Sequence, residues 1–245
     1  MDLQRRNYQA VILAGGLGER LKPITEKIPK PMVDIHGKPF LQLKLEHLAH
    51  YGIKDIILCV EYLGKIIEDH FSDGKKFGLS ISYVRGSKDF GTGGAIKNAE
   101  SLIRGDFIAM NGDTYAPFNI TDFISFHEQH KKPITLLTTP ALTPLEQELL
   151  HLSKETIIEI YKRGTNLHAH HLSTTQTPLA NGGHYVINRK VLDYIPRSQN
   201  VSLENNIFPL FKGDMTGFFY QDYFKDIGTN KSLDEFLREV AYEVL

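Results

Sequence analysis

Gln9-Ala10-Val11-Ile12-Leu13-Ala14-Gly15-Gly16-Leu17-Gly18-Glu19-Arg20 is the stretch on which the reading of this chain turns. Ala10 to Ala14 is a short apolar run closed by glycines, the pattern of a buried strand entering a tight turn. Three glycines in four positions let bare backbone N–H groups approach a phosphate or a base. Two common phosphate loops are excluded. Gly16-x-Gly18 would need glycine at position 21, where Leu21 stands, and no Gly-Lys-Ser/Thr succeeds it. Arg20 stands there instead, and then Lys30 within Pro29-Lys30-Pro31-Met32. A guanidinium grips phosphate oxygens in a fork and an ammonium acts as a point charge. Two cations beside a backbone cradle suit a triphosphate whose leaving group is pyrophosphate.

Outward from that loop, apolar strands and amphipathic helices alternate. Helices are expected over Leu41–Tyr51 (stopped by Gly52), over Tyr62–Phe71 and over Ile120–His130. Another, opening near Ala95, should show Ala95, Ile96, Ala99, Leu102 and Ile103 on one face. Strands are expected at Ile56–Val60, Leu79–Val84, Phe107–Met110 and Ile134–Thr138. This order argues for a three-layer αβα, Rossmann-like nucleotide-binding fold with a mixed, mainly parallel sheet. The second half is less regular. Thr156–Tyr161 and His184–Ile187 read as strands, and Asn166–Pro178 as a polar loop or hairpin. Ser232 and Glu235 have capping-box spacing, before a helix lined by Leu233, Phe236, Leu237, Val240 and Val244. With no repeat or linker, one domain over 1–245 with a small C-terminal subregion is expected.

Carboxylates stand at two places. Asp113 ends the strand Phe107-Ile108-Ala109-Met110-Asn111-Gly112-Asp113-Thr114, where ligands bind in open parallel sheets. Asp226 lies in Phe224-Lys225-Asp226-Ile227-Gly228-Thr229. Two carboxylates with phosphate oxygens and waters suit Mg²⁺, which prefers oxygen ligands.

Leu13 to Thr25 together with Pro29-Lys30-Pro31-Met32 resembles the signature of the sugar-1-phosphate nucleotidylyltransferases, including the spacing from the glycines to Arg20 and on to Lys30. The resemblance runs from Gln9 to about Thr229 and thins between Ala141 and Leu179. It implies transfer of a nucleotidyl group from an NTP to a sugar 1-phosphate, with release of pyrophosphate. It implies catalytic roles for Arg20, Lys30 and Asp113, and a Mg²⁺ site on Asp113 and Asp226. Leu13, Gly15, Gly16, Gly18 and Arg20 would bind the nucleotide, with Gly91 and Thr92 of Phe90-Gly91-Thr92-Gly93-Gly94-Ala95-Ile96 as the second wall. Asn111, Asn181, Gly183, Tyr185 and Glu204 would bind the sugar and its phosphate, in a C-terminal sugar-binding subregion. The family's Glu-Lys pair is replaced here by Tyr161-Lys162-Arg163-Gly164, so the sugar-phosphate clamp falls to Lys162 or Arg163.

The form Gly-Thr-Gly-Gly-Ala-Ile resembles the heptose-1-phosphate guanylyltransferases. It points to GTP and D-glycero-α-D-manno-heptose 1-phosphate, and so to nucleotide-sugar and surface polysaccharide biosynthesis. A uridylyl-, thymidylyl- or mannose guanylyltransferase is the alternative. An inert regulatory or binding homologue should have lost one of Arg20, Lys30, Asp113 or Asp226, and all four are present.

Composition narrows the remaining classes. The 245 residues carry 28 Lys+Arg against 29 Asp+Glu, a net charge of −1, so no basic stripe supports a nucleic-acid partner. No apolar run is long enough for a membrane span, and the polar Met1–Gln9 is not a secretory signal. The lone Cys59 sits among apolar neighbours, reads as core and favours a reducing cytoplasm. His168, His170 and His171, and His127 with His130, read as surface histidines. Nothing in the sequence decides for or against a homo-oligomer.

Overall fold

In the computed structural model, which describes residues 8–86, 90–175 and 177–240, the Gln9–Ala14 run forms strand β1 at the middle of the sheet's parallel half. Short strands β2 (Asp34–Ile35) and β3 (Lys38–Pro39) precede helix α1 (Phe40–His50). Then come β4 (Asp55–Val60), α2 (Gly64–Phe71), β5 (Ser80–Arg85), α3 (Gly91–Asn98), β6 (Phe107–Asn111) and β7 (Thr114–Tyr115). The chain continues through α4 (Ile120–His130), β8 (Ile134–Pro140), β9 (Leu149–Ser153), β10 (Thr156–Tyr161), α5 (Asn166–Thr174) and β11 (Leu179–Ile187). It closes with β12 (Met215–Phe219), β13 (Lys225–Asp226) and α6 (Asn230–Val240).

Nine strands form one sheet in the order β5-β4-β1-β6-β11-β8-β12-β10-β9. Strands β5, β4, β1 and β6 are mutually parallel and β12 is parallel to β8, while β11 and β10 run against the rest. The expected mixed, mainly parallel sheet is therefore present. Of the C-terminal strands, β12 extends it, while β13 pairs with β7 in a separate two-stranded sheet.

The period of two along β1 divides the core. Ala10, Ile12 and Ala14 face α1, α2 and α4 through Leu45, Ile67, Phe71 and Phe123. Val11 faces the opposite side, with Ile96 of α3, Tyr185 of β11 and Phe208. A third cluster joins Leu21, Phe40 and Ile227 to Leu233, Phe236 and Val240 of α6. This satellite core anchors the C-terminal helix beneath the loop that bears Arg20. Burying side chains of this size stabilises by about 1.5–3 kcal/mol each.

Several local expectations differ from what the fold contains. Asn166–Pro178 is not a loop or hairpin: α5 starts there, its cap Thr165 accepting from the His168 N–H at 3.2 Å. Its inward face uses imidazoles, with His168 and His171 3% and 8% exposed, so an aliphatic pattern could not reveal it. His127 is also buried, against Thr135 at 2.8 Å, so neither group is a set of surface histidines. Helix α3 starts at Gly91, four residues before Ala95, because the Gly93 and Gly94 N–H groups find the Val201 carbonyl at 2.7 and 3.1 Å. It ends at Asn98, which leaves Leu102 exposed. The cap of α6 is a reciprocal Thr229–Ser232 pair at 3.1 Å each way, while Glu235 pairs with Lys225 at 2.9 Å. Val244 and the first seven residues lie outside the described residues.

Candidate active site

The glycine loop leaves β1 at the carboxyl end of the parallel strands. Gly18 has φ +64°, and a Cβ there would meet the Thr25 side chain at 2.8 Å, so the turn requires glycine. The Gly18 carbonyl accepts from the Leu21 N–H and from the Thr25 hydroxyl at 2.8 Å. Gly16 has nothing within 4 Å of a built Cβ. Its bare backbone faces a cavity of about 320 Å³, walled by Leu13, Gly15 and Gly16 on one side and Gly91, Thr92 and Ala95 on the other. Cys59 and Glu61 at the end of β4 complete the wall. The Cys59 thiol is pushed up to about 12 by burial, which leaves it inert.

Asn111, Gly112 and Asp113 close the cavity at the end of β6. Gly112 is held by its N–H on the Leu13 carbonyl at 2.9 Å, and a Cβ at 112 would clash with that oxygen. The glycine thus lets the Asp113 turn press directly against the end of β1. Lys30, 8% exposed, pairs with Asp113 Oδ2 at 2.7 Å.

Asp226 comes from the far end of the chain by antiparallel pairing of β13 with β7, Asp226 opposite Thr114. The Ile227 N–H donates to the Asp113 carbonyl at 3.0 Å. A Cβ built on Gly228 would lie 2.5 Å from Asp226 Oδ1, 2.7 Å from Arg20 Nη2 and 3.2 Å from Lys30 Nζ. Three charged heads therefore converge on one glycine, and Lys30 carries the link to Asp113. Loss of hydration among its neighbours and the Asp113 carboxylate push the Asp226 carboxyl above its ordinary value, against Lys30, the Gly228 N–H and Arg20. Its side chain still opens to solvent, which screens the effect. Arg20 makes no hydrogen bond or ion pair among the described residues, and its guanidinium is exposed.

Two carboxylates side by side, each with an uncommitted lone pair, form a donor set that fits a divalent, oxygen-preferring cation. Among the described residues no group of three His, Cys, Asp or Glu side chains could hold a metal alone. Further ligands would come from phosphate oxygens and water.

Thr92 connects the cavity to a network of side chains. Glu204 Oε2 accepts from the Thr92 and Ser202 hydroxyls at 2.8 and 2.7 Å, and Oε1 from Tyr185 at 3.3 Å. Tyr185 in turn accepts from Asn181 Nδ2 at 3.0 Å, and Asn181 Oδ1 accepts from the Gly183 N–H at 2.9 Å. Tyr185 is fully buried. Burial and Glu204 push its phenol well above the ordinary value, so it remains a donor to Glu204 and bears on a ligand only through that carboxylate. The Thr92 hydroxyl is likewise taken, since it also accepts from the Leu203 N–H at 2.8 Å. Gly183, φ +72°, lies against Asn111 Nδ2, and Asn111 Oδ1 is buried with no hydrogen-bond partner among the described residues.

Lys162 and Arg163 are exposed at the end of β10 and do not wall the cavity. Both lie within electrostatic reach of Glu148, whose carboxyl is held above its ordinary value by burial and by Glu204, against the two cations. Glu61 and Glu148 carry no motif that marks them in the sequence, and Gly228, though inside the Asp226–Thr229 segment, has no role assigned to it there. Gly228 has the clearest signal of the three, a glycine two residues after a carboxylate.

The profile of the nucleotidyl transferase family matches residues 9–243. The chain belongs to that family. It is 34% identical over 225 residues to a mannose-1-phosphate guanylyltransferase of Mycobacterium tuberculosis, spanning 90% of this chain and 61% of that protein's length. It is 31% identical to the D-glycero-alpha-D-manno-heptose 1-phosphate guanylyltransferase of Campylobacter jejuni, over 94% of this chain and 98% of the other. Among solved structures, HddC from Yersinia pseudotuberculosis superposes with a TM-score of 0.80 at 31% identity, over 95% of this chain and 99% of that one. HddC has also been solved complexed with GMP-PN. These relatives place the chain among the sugar-1-phosphate nucleotidylyltransferases. No described helix is long and apolar enough to cross a membrane.

Proposed function

We propose that this nucleotidyltransferase converts GTP and D-glycero-α-D-manno-heptose 1-phosphate to the GDP-sugar and pyrophosphate. The observation that carries the reading is the convergence of Arg20, Lys30 and Asp226 on Gly228, with Asp113 paired to Lys30, at the mouth of a glycine-walled cavity. A phosphate oxygen of the sugar 1-phosphate forms a bond to the α-phosphorus. The bond from that phosphorus to the bridging oxygen breaks, and its electron pair leaves with pyrophosphate. No acid–base pair is needed, because such a transfer depends on positioning and charge neutralisation.

Arg20, free and exposed, neutralises the departing pyrophosphate. Lys30, held by Asp113, orients the α-phosphate and the attacking phosphate. The bare N–H groups of Gly15 and Gly16 cradle the phosphates, while Leu13, Gly91 and the methyl side of Thr92 flank the base. Mg²⁺ held by Asp113 and Asp226 would supply Lewis-acid polarisation and a template for both phosphates. Glu204, pinned by three hydroxyl donors, presents its remaining lone pairs to sugar hydroxyls. Asn111 Oδ1 and the Asn181–Gly183 backbone form the floor, and Lys162 or Arg163 closes on the sugar phosphate.

The choice of guanine and of a manno-configured sugar is supported by the activities named for the mycobacterial and Campylobacter relatives. The GMP-PN complex of HddC points the same way. Chromatography and mass spectrometry of reactions with four NTPs and a panel of sugar 1-phosphates test it. GDP-heptose as the dominant product is expected. A dominant UDP- or dTDP-sugar would keep the chemistry and overturn the substrate.

A further inference from the structure

A lysine stands where α1 should be apolar. Leu41, Leu45 and Leu48 are fully buried, and Lys44, on the same stripe, is only 4% exposed. Its ammonium donates to the Thr114 carbonyl and to His184 Nε2, the latter at 3.2 Å. The His184 ring is itself buried, and its Nδ1–H donates to the Gly182 carbonyl at 2.8 Å. One continuous chain of hydrogen bonds thus runs from β7, through α1, to the Asn181–Gly183 segment of β11. That segment is irregular, for the pairing of β11 with β8 shifts register between Asn181 and Tyr185.

Both ends of the chain of hydrogen bonds reach the active site. Thr114 comes directly after Asp113 and pairs across β7–β13 with Asp226. Gly183 lies against Asn111 and against the Thr114 side chain. We propose that Lys44, relayed by His184, is a positioning residue for the reaction, fixing the Asp113–Thr114 turn against the bulge that carries Asn181. The proposal rests on the reading of the site as a nucleotidyltransferase centre.

Three observations support it. A buried amine is costly where a leucine would pack, so its retention points to a task other than filling space. The hydrogen bonds join elements 70 and 140 residues from Lys44, tying segments the sheet ladder leaves unlinked at this end. The pair is also electrostatically matched. Burial pushes Lys44 down to about 7 while Asp113 pulls it up, and burial with Lys44 keeps His184 well below its ordinary value. A neutral imidazole then accepts from the lysine and donates to Gly182. Groups that orient metal-binding carboxylates in this manner typically change metal affinity or activity by about 10–100-fold when removed.

Lys44→Met alone strands the His184 acceptor in the core, so the deciding variant is Lys44→Met with His184→Phe, which replaces the pair by apolar groups of similar shape. Mn²⁺ binding to the full chain is titrated by electron paramagnetic resonance, beside thermal unfolding and the KM of each substrate. Because the double variant also takes the donors from the Thr114 and Gly182 carbonyls, it is expected to fold with a lowered unfolding temperature. It should bind Mn²⁺ about tenfold or more weakly, with a raised KM for the sugar 1-phosphate and an unchanged KM for the nucleotide. A folded double variant with wild-type Mn²⁺ affinity and both KM values unchanged would overturn the proposal. A wild-type protein that binds Mn²⁺ but turns over no sugar 1-phosphate would contradict the functional reading instead.

Discussion

The two sides of the candidate site are built from different materials. One side is backbone: Gly15 and Gly16 after β1, and Gly91 at the start of α3. The other is a web of side chains, Asn181 to Tyr185 to Glu204 to Thr92, drawn from three elements, of which Thr92 reaches the cavity. A backbone wall tolerates exchange of neighbouring side chains, but a Cβ at Gly91 would lie 2.6 Å from the Val201 carbonyl oxygen. A side-chain wall transmits any single loss along the web, because each buried polar group depends on the next. The charged heads sit between the two walls, on Gly228.

Arg20→Met should produce the largest functional change. The guanidinium makes no hydrogen bond or ion pair among the described residues, so stability should hold while turnover falls by about 10²–10³. Stopped-flow or coupled pyrophosphate assays with a parallel melting curve would show it. A loss of turnover below about threefold, against the ~10² expected for such a contact, would place the pyrophosphate elsewhere. Gly228→Ala comes next. The added methyl would occupy space 2.7 Å from Arg20 Nη2 and 3.2 Å from Lys30 Nζ, and a misplacement of about 1 Å can cost ~10² in rate. A crystal structure of that variant should show both cations displaced.

Thr92→Val separates the walls. If Thr92 serves the nucleotide by its hydroxyl, the KM for the NTP rises. Because that hydroxyl instead donates to Glu204, the sugar 1-phosphate KM should rise about tenfold, with stability lowered by about 1–3 kcal/mol.

The smallest effect concerns pH. Burial, Lys44 and His50 hold the half-buried His47 imidazole down at about 4, from an ordinary 6.5. Unfolded, it takes up a proton below pH 6.5; folded, it does not until about pH 4. Stability should therefore fall as pH drops through that window, by on the order of 2 kcal/mol from this group, and be insensitive to it above. Urea denaturation of wild type and His47→Leu at about pH 7 and about pH 5, either side of the ordinary imidazole value, checks this: the variant should lose less on acidification.

The same contrast between walls governs what can be read in the sequence. β1, its glycines, Arg20, Lys30 and Asp113 are legible because strand, turn and charge are contiguous, and a run of glycines at a turn rarely arises from anything but backbone need. The order of strands and helices up to β8 comes from apolar periodicity. Past β8 the signals weaken. β9 and β12 escape a periodicity reading because Leu149–Ser153, at the end of the sheet order, and Met215–Phe219, between β8 and β10, mix polar with apolar residues without strict alternation. Helix α5 escapes it because its buried positions are imidazoles, held by partners such as the Gln147 carbonyl at 2.9 Å from His168. The clustering of Asp226 with Asp113 needs the β7–β13 pairing, which joins distant parts of the chain and which no local pattern encodes. Lys44 does leave a trace, a cation between Leu41 and Leu48 on a leucine stripe, but its partner His184 lies 140 residues away.

The central claim is that the Arg20–Lys30–Asp113–Asp226 cluster transfers a nucleotidyl group. Its most direct test is Mg²⁺-dependent pyrophosphate release from four NTPs against a panel of sugar 1-phosphates, with Asp113→Ala as the control. Turnover is predicted with GTP and the manno-heptose 1-phosphate, lost on chelation and reduced by at least ~10² in the variant. Release from no pair at all, or an Asp113→Ala protein as active as wild type, would contradict it.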